Sequence, residues 1–128
     1  FAPAPARQPQ TLADTNSAGC TTCHEKTDQP TMHANPGVVL GCADCHGGDP
    51  SVRRGSEAPE SDAYAALKDA AHVLPADIGT FGKSAANPKH TMARWTQEHP
   101  AYVRFVNPGD LRVAREACGA CHLAIIQA

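Results

Sequence analysis

The sequence contains the string Cys-x-x-Cys-His three times, at residues 20–24, 42–46 and 118–122. This string is the attachment signal for c-type haem, in which two thiols add to the porphyrin vinyl groups and the following histidine binds the iron. The two intervening residues let one turn of chain bring both sulfurs to the same edge of the macrocycle. The sequence therefore predicts three covalently attached haem c groups. The predicted thioether residues are Cys20, Cys23, Cys42, Cys45, Cys118 and Cys121, and the predicted proximal iron ligands are His24, His46 and His122.

Two other uses of cysteine fit part of this pattern. Eighteen residues separate Cys23 from Cys42, so the first two motifs have the spacing of a four-cysteine zinc site. A zinc site of this kind leaves Cys118 and Cys121 without partners and does not explain the histidines. A disulfide scaffold does not explain them either. With seven histidines in 128 residues, a histidine after each of three cysteine pairs has a chance probability on the order of 10⁻⁴. We therefore favour haem.

A low-spin electron-transfer haem needs a second axial ligand, which is either histidine or methionine. We predict His33 and His72 as distal ligands; the alternative for each is a packing or surface role. Met32 and Met92 compete for the same positions, although methionine is more often a packing residue. The histidines outside the motifs suffice for bis-histidine ligation of all three irons, and they are His33, His72, His90 and His99.

The choice between His90 and His99 depends on a predicted helix at residues 88–99. The two histidines are nine residues apart, so they lie about half a turn out of phase at about 100° per residue. They cannot face the same pocket on such a helix. His99 shares a helix face with Met92 and Trp95, and this stripe favours His99 as the ligand. His90 points outward or toward another subunit in the same interpretation.

The supply of large apolar residues is small for a folded domain. Leu, Ile, Val and Phe make up 19 of 128 residues, about 15%, which is below the level usual for a chain that folds. Each porphyrin is larger than a tryptophan side chain, so three of them can supply much of the apolar interior. We expect a fold that depends on haem and a haem-free chain with little structure.

The fold class follows from ten glycines and eleven prolines without a convincing strand pattern. We predict a mainly irregular chain with short α-helices and little or no β-sheet, folded around its haems as a small multihaem cytochrome c. Residues 1–16 are predicted to be an extended Pro/Ala-rich arm, either a mobile tail or a segment that docks on a neighbouring subunit. Residues 17–128 are predicted to form a single domain with three haems.

Local signals place three helices and a turn in this domain. Ser61 or Asp62 is predicted to cap a helix that continues to Ala71. The helix at residues 88–99 is predicted to end before Pro100. Residues 107–110 are predicted to form a turn, and Asp110 to cap a helix that carries Cys118. The glycines at positions 41, 47 and 48 are predicted to let the backbone pass close to the macrocycle.

Charge and hydropathy limit the possible partners. The formal charge is −2, without a basic stripe, so nucleic acid is not an expected partner. The sequence has no apolar run of about 18–20 residues, so no transmembrane segment is expected. The chain begins at Phe1, and haem attachment normally follows export, so we expect a processed protein in the periplasm or outside the cell.

Two stretches resemble segments of the large multihaem c-type cytochromes of respiratory bacteria. They are Leu-Gly-Cys-Ala-Asp-Cys-His-Gly-Gly-Asp at residues 40–49 and Phe-Val-Asn-Pro-Gly-Asp-Leu-Arg-Val-Ala at residues 105–114, which leads into the third motif. Ala-His-Val at residues 71–73 also fits and supports His72 as a ligand. The resemblance covers much of residues 20–122 and implies electron transfer at or beyond the cell envelope. Some multihaem cytochromes polymerise into filaments, so a homopolymer with haem contacts between subunits is one expected assembly.

The relatives implied by this resemblance carry many more haems than three. In a longer protein, a downstream residue can supply the distal ligand of the third haem. For this chain, we expect that ligand to be His90, His99, a methionine, water or a residue of a neighbouring molecule.

The sequence favours an electron-transfer protein that exchanges electrons with other redox proteins. In this role the chain holds three irons close together and sets their reduction potentials through the ligands and their burial. The alternative is a haem subunit or enzyme in which one iron keeps an open site and reduces a small oxyanion. No catalytic residue is predicted, because four additional histidines argue against an obligatory open site.

Overall fold

The computed structural model describes residues 2–26, 32–88 and 93–128. These ranges contain short helices joined by irregular chain, and no strand occurs in them, so the predicted class of short helices and irregular chain with little or no β-sheet is confirmed. The α-helices are α1 Gln10–Thr15, α2 Cys42–His46, α3 Asp62–Ala71, α4 Ile78–Phe81, α5 Pro100–Val106 and α6 Ala114–Ile126. Two 3₁₀ segments, Cys20–Thr22 and Ala93–Gln97, complete the helical structure of this part of the chain.

The apolar core is small and lies where α2 packs against α5 and α6. Tyr102 and Val103 of α5 are the largest side chains that are fully buried among the described residues. The chain exposes 8509 Å² of accessible surface, whereas a folded monomer of 13.4 kDa exposes about 6,500 Å². The remaining buried apolar side chains are short: Ala4, Ala13, Val106, Val113, Ala114 and Ala117.

The predicted helix that begins after Ser61 is confirmed. Helix α3 runs from Asp62 to Ala71, and the Ser61 hydroxyl accepts a hydrogen bond from the Tyr64 N–H. This bond satisfies one of the backbone donors that a helix leaves free at its start. His72 follows the last helical residue in an extended conformation. His72 therefore leaves α3 at its C-terminal end.

The prediction of one helix at residues 88–99 is wrong in the part that the structure describes. Residues Ala93–Gln97 form a 3₁₀ segment, and a separate helix, α5, begins at Pro100. Proline suits the first turn of a helix because its missing N–H has no helical partner there. Pro100 therefore starts a helix, whereas the sequence predicted only that a preceding helix ends before it.

Helix α6 begins at Ala114, later than the predicted cap at Asp110. Residues 107–110 form the predicted turn, in which the Asp110 N–H donates to the Asn107 carbonyl at 3.1 Å. The Asp110 carboxylate accepts hydrogen bonds from the backbone N–H and from the guanidinium of Arg112. Because this turn occupies residues 107–113, the helix starts after it.

The N-terminal arm packs against its own chain. It is extended as far as Pro9 and then forms α1, so the prediction of an extended segment through residue 16 is wrong for its last part. The Ala4 N–H donates to the Glu116 carbonyl at 2.8 Å, and the Gln8 amide donates to the Val39 carbonyl at 3.1 Å. In the described residues, the arm is therefore part of the fold rather than a mobile tail.

None of the helices in the described ranges has the length and apolar character needed to cross a membrane.

Candidate functional site

The first Cys-x-x-Cys-His motif is held against the loop at residues 50–54. The Gly19 N–H donates to the Pro50 carbonyl at 2.7 Å, and a Cβ at Gly19 would lie 2.0 Å from the Val52 carbonyl oxygen. Only glycine permits this approach. The Thr22 hydroxyl accepts from the Arg54 N–H at 2.8 Å. The 3₁₀ turn that carries Cys20 and Cys23 is therefore fixed at both ends.

The second motif forms α2 and is anchored by the buried carboxylate of Asp44. This carboxylate accepts hydrogen bonds from the Gly41 N–H at 2.6 Å, the Asn16 amide at 2.8 Å and the Gln8 amide at 2.5 Å. A Cβ at Gly41 would lie 2.4 Å from the Ala13 carbonyl oxygen, so this glycine allows α1 to approach α2. The contacts shown by the structure at Gly41 are with Ala13, Asn16 and Asp44 of the protein.

Arg104 of α5 holds the other side of the second motif. Its guanidinium is buried and donates to the carbonyl oxygens of Asp44 at 2.5 Å and Cys45 at 2.9 Å. A third donor reaches the Ala2 carbonyl at 2.9 Å. Arg104 thus joins the N-terminal arm, the second motif and α5 at one point. Arg104 is not among the predicted site residues. The sequence feature that could have indicated it is a single charged residue within the apolar stretch at residues 101–106.

The third motif lies within α6. Ala114 and Ala117 are buried on this helix, whereas Cys121 and His122 face outward. His122 has non-helical angles (φ −114°, ψ 19°) that kink the helix directly after the cysteine pair. The kink changes the direction in which the imidazole leaves the helix.

Two pairs of imidazole rings form between the motif histidines and the predicted distal ligands. The rings of His24 and His72 have centres 6.3 Å apart and planes inclined at 42°. The rings of His33 and His122 have centres 6.3 Å apart and planes inclined at 18°. Each pair therefore joins one proximal histidine with one of the two histidines predicted as distal ligands.

This separation fits two ligands on one metal ion. A metal–imidazole bond is about 2.0 Å long and the ring centre lies about 1.2 Å beyond the nitrogen, so two imidazoles on opposite sides of an ion have centres about 6.4 Å apart. Both observed separations agree with this value. The partner of His122 was expected among His90, His99, methionine, water or another molecule, whereas the structure places His33 beside it.

The environment of His72 favours its neutral form. Burial lowers the pKa of His72, and the charges of His24 and Lys68 lower it further. A neutral imidazole is the form that binds metal ions.

His46 of the second motif is oriented by α5. Its Nδ1 lies 2.7 Å from the Phe105 carbonyl oxygen, and since a carbonyl only accepts, Nδ1 donates. The proton is therefore on Nδ1 and the lone pair on Nε2 is available to a metal, as in most metal-binding histidines. The Phe105 ring contacts His46 edge-on at 6.4 Å and His72 at 5.1 Å. Sequence analysis did not single out Phe105 as a site residue.

His99, which the sequence predicts as an iron ligand, is the N-cap residue of α5. Its Nδ1 accepts a hydrogen bond from the Ala101 N–H at 3.1 Å and caps α5. In a neutral ring the proton then lies on Nε2, the nitrogen that would have to bind iron. Ligation by His99 stays a prediction. His90 and Met92 lie outside the described residues, so their roles also stay predictions, and Met32 is 86% exposed.

The sulfur atoms of neighbouring motifs lie close together. The Cys20 thiol donates a hydrogen bond to Cys42, which lowers the pKa of Cys42 to about 5 although burial opposes this, and the same contact raises the pKa of Cys20. Burial raises the pKa of Cys45, and the charge of nearby Cys118 raises it further. The second motif therefore lies between the first and the third.

The structure does not form the zinc site or the disulfides considered as alternatives. All six cysteines are free thiols. Within residues 2–26, 32–88 and 93–128, no three His, Cys, Asp or Glu side chains are grouped so that they could hold a metal ion. Each histidine pair brings two imidazoles together, and two is the number of axial ligands that a low-spin porphyrin iron takes from the protein.

No protein-family model, no curated protein and no solved structure matches this chain. The similarity to multihaem cytochromes therefore stays a prediction from the motifs.

Proposed function

We propose that the chain binds three c-type haems covalently and transfers electrons through them. The observation that carries this proposal is the pair of 6.3 Å separations, His24 with His72 and His33 with His122. One histidine of each pair, His24 or His122, is the last residue of a Cys-x-x-Cys-His motif. The cysteines of that motif and the two histidines of the pair would therefore bind the same haem. Bound haem supplies a reversible one-electron couple at its iron.

The surface of the chain supports this proposal. The accessible area exceeds that of a typical folded monomer of this mass by about 2,000 Å². The imidazoles of His24, His33 and His122 are exposed on this surface, and so are the thiols of Cys42 and Cys121. A large apolar ligand bound by these side chains would cover surface that is otherwise unusually exposed.

The order of the sites along the relay follows from the sulfur contacts. Cys20 contacts Cys42, and Cys118 lies near Cys45. Each cysteine of the second motif therefore has a neighbour from a different motif. We propose that electrons pass from the first site through the second to the third, or in reverse, and that redox proteins dock at the two outer sites.

Paired histidines favour electron transfer over catalysis. If His24 with His72 and His33 with His122 each held one haem iron, the first and third sites would leave no coordination position for a substrate. The second site differs, because the described ranges contain no histidine pair that includes His46. This difference favours one further candidate, a haem subunit in which the second iron binds a small oxyanion. His90, His99 or a neighbouring molecule would otherwise complete that site.

The proposed place of action is the periplasm or the cell exterior, where c-type haem attachment occurs. A homopolymer with haem contacts between subunits is a further proposal, since the outer sites are exposed.

The test uses the protein expressed with a c-type haem maturation system. We expect three covalently bound haems per chain by mass spectrometry and the pyridine haemochrome assay, and low-spin signals from the first and third sites by electron paramagnetic resonance (EPR). His72→Ala and His33→Ala should each convert one low-spin haem to high-spin, whereas Leu111→Ala, at an exposed side chain outside the sites, serves as the control. A protein without covalent haem, or variants with unchanged spectra, would contradict the proposal.

The same spectra separate the two candidate functions. An electron carrier shows no change on addition of CO or nitrite. A high-spin fraction that binds either molecule in the wild-type protein, and that survives in His72→Ala and His33→Ala, would assign an open iron to the second site and favour the oxyanion reductase.

A further inference from the structure

We infer that Phe105 positions the iron ligands of two neighbouring sites at once, through its carbonyl at His46 and its ring at His72. This inference rests on the proposed function, because it concerns ligands of the proposed haems. Phe105 contacts both histidines directly. It acts through the two histidines.

The carbonyl is available because of where α5 ends. Helix α5 stops at Val106, so the carbonyl of Phe105 belongs to the last turn and has no helical N–H to accept from. His46 Nδ1 donates to it at 2.7 Å. Such a second hydrogen bond fixes the ring orientation of a metal-binding histidine and increases the basicity of its other nitrogen. The end of α5 thus sets the direction of Nε2 at the second site.

The ring of Phe105 is confined against His72. Its centre lies 5.1 Å from that of His72, with planes inclined at 47°. On another side, a Cβ at Gly48 would lie 3.2 Å from the Phe105 ring and 2.8 Å from the Ala71 carbonyl oxygen, and Gly48 has φ +80°. Only glycine adopts this conformation without strain and leaves room for the ring. The backbone after the second motif therefore packs close to the ring that contacts the distal ligand of the first site.

The physical consequence is a restriction on the rotation of the His72 imidazole. The angle between two axial imidazole planes sets the splitting of the iron d orbitals, and this splitting determines the EPR g values of a low-spin ferric haem. The observed angle between His24 and His72 is 42°. Removal of the Phe105 ring should therefore change the g values of the first site.

The test compares Phe105→Leu with Phe81→Leu in the holoprotein. Leucine keeps the backbone carbonyl and its bond to His46 but removes the ring, so the g values of the first site should shift more than those of the second. The signal of the first site is the one lost in His72→Ala. Phe81 is the matched control, because its ring packs on Trp95 at 5.8 Å and Tyr102 at 6.2 Å. Phe81→Leu should leave all g values unchanged.

A second variant protects the test against a folding defect. Phe105→Met conserves apolar volume and also removes the ring, so it should give the same shift if Phe105→Leu does not accumulate. Unchanged g values at the first site in a protein with three haems, or an equal shift in Phe81→Leu, would overturn the role of Phe105 and leave the proposed function standing. A wild-type protein without covalent haem would overturn both.

Discussion

Asp44 and Arg104 place opposite charges in the interior beside the second motif, and each is satisfied by neutral partners. The Asp44 carboxylate accepts from one backbone and two side-chain N–H donors, while Arg104 donates to three backbone carbonyls. A buried charge without such partners costs several kcal/mol. These two side chains therefore determine how the arm and α5 enclose the motif.

Arg104→Met tests this role at the level of one side chain. The substitution keeps apolar volume but leaves three carbonyls without donors, so the free energy of unfolding should fall by about 2–4 kcal/mol. Chemical denaturation of the holoprotein, followed by far-UV circular dichroism, measures the change. Arg115→Met on the exposed face of α6 is the control and should change stability by less than about 0.5 kcal/mol. Equal losses in the two variants would contradict the role of Arg104.

The elements divide into those with local signals and those set by distant contacts. Helix α3 was predictable because the Ser61 cap and the apolar spacing lie within a few residues. Helix α5 was missed because Pro100 is compatible both with the end of one helix and with the start of another. The pairs of His24 with His72 and His33 with His122 depend on the fold of the chain between them, so the sequence could not predict which motif histidine His33 or His72 lies beside.

His99→Ala tests whether this histidine caps α5 or binds iron. As a cap, its loss should reduce the free energy of unfolding by about 1 kcal/mol and leave the low-spin spectrum unchanged. His99→Asn should recover most of the stability, because asparagine is a good cap. Thermal denaturation and EPR spectra of both variants give the result. Conversion of one haem to high-spin in His99→Ala would instead identify His99 as an iron ligand.

The whole molecule has too small a core for its length. Among the described residues, the buried apolar side chains are mainly alanine and valine, and the accessible surface is large for the mass. The sequence predicted this shortage from its low content of large apolar residues. It could not predict where the remaining core lies, because the packing of α2 on α5 and α6 is a long-range contact.

The haem-free chain should therefore lack a cooperative fold. Expression without a haem maturation system gives this form, and we expect a broad thermal transition and a radius of gyration well above about 14 Å, the value for a compact chain of 128 residues. Circular dichroism and small-angle X-ray scattering measure both quantities, with the holoprotein as the control. A sharp transition and a compact haem-free chain would show that the polypeptide folds without its cofactor.

The pairing of His33 with His122 also has a consequence in time. Because a chain is synthesised from its N terminus, His24 and His72 are present before residue 122 is added. The first pair closes a loop of roughly half the length of the second, and contacts between distant residues form more slowly. Until residues 118–122 are synthesised, His33 cannot form its contact with His122. If the proposed haem sites form as the chain is made, we expect the first site to form before the third.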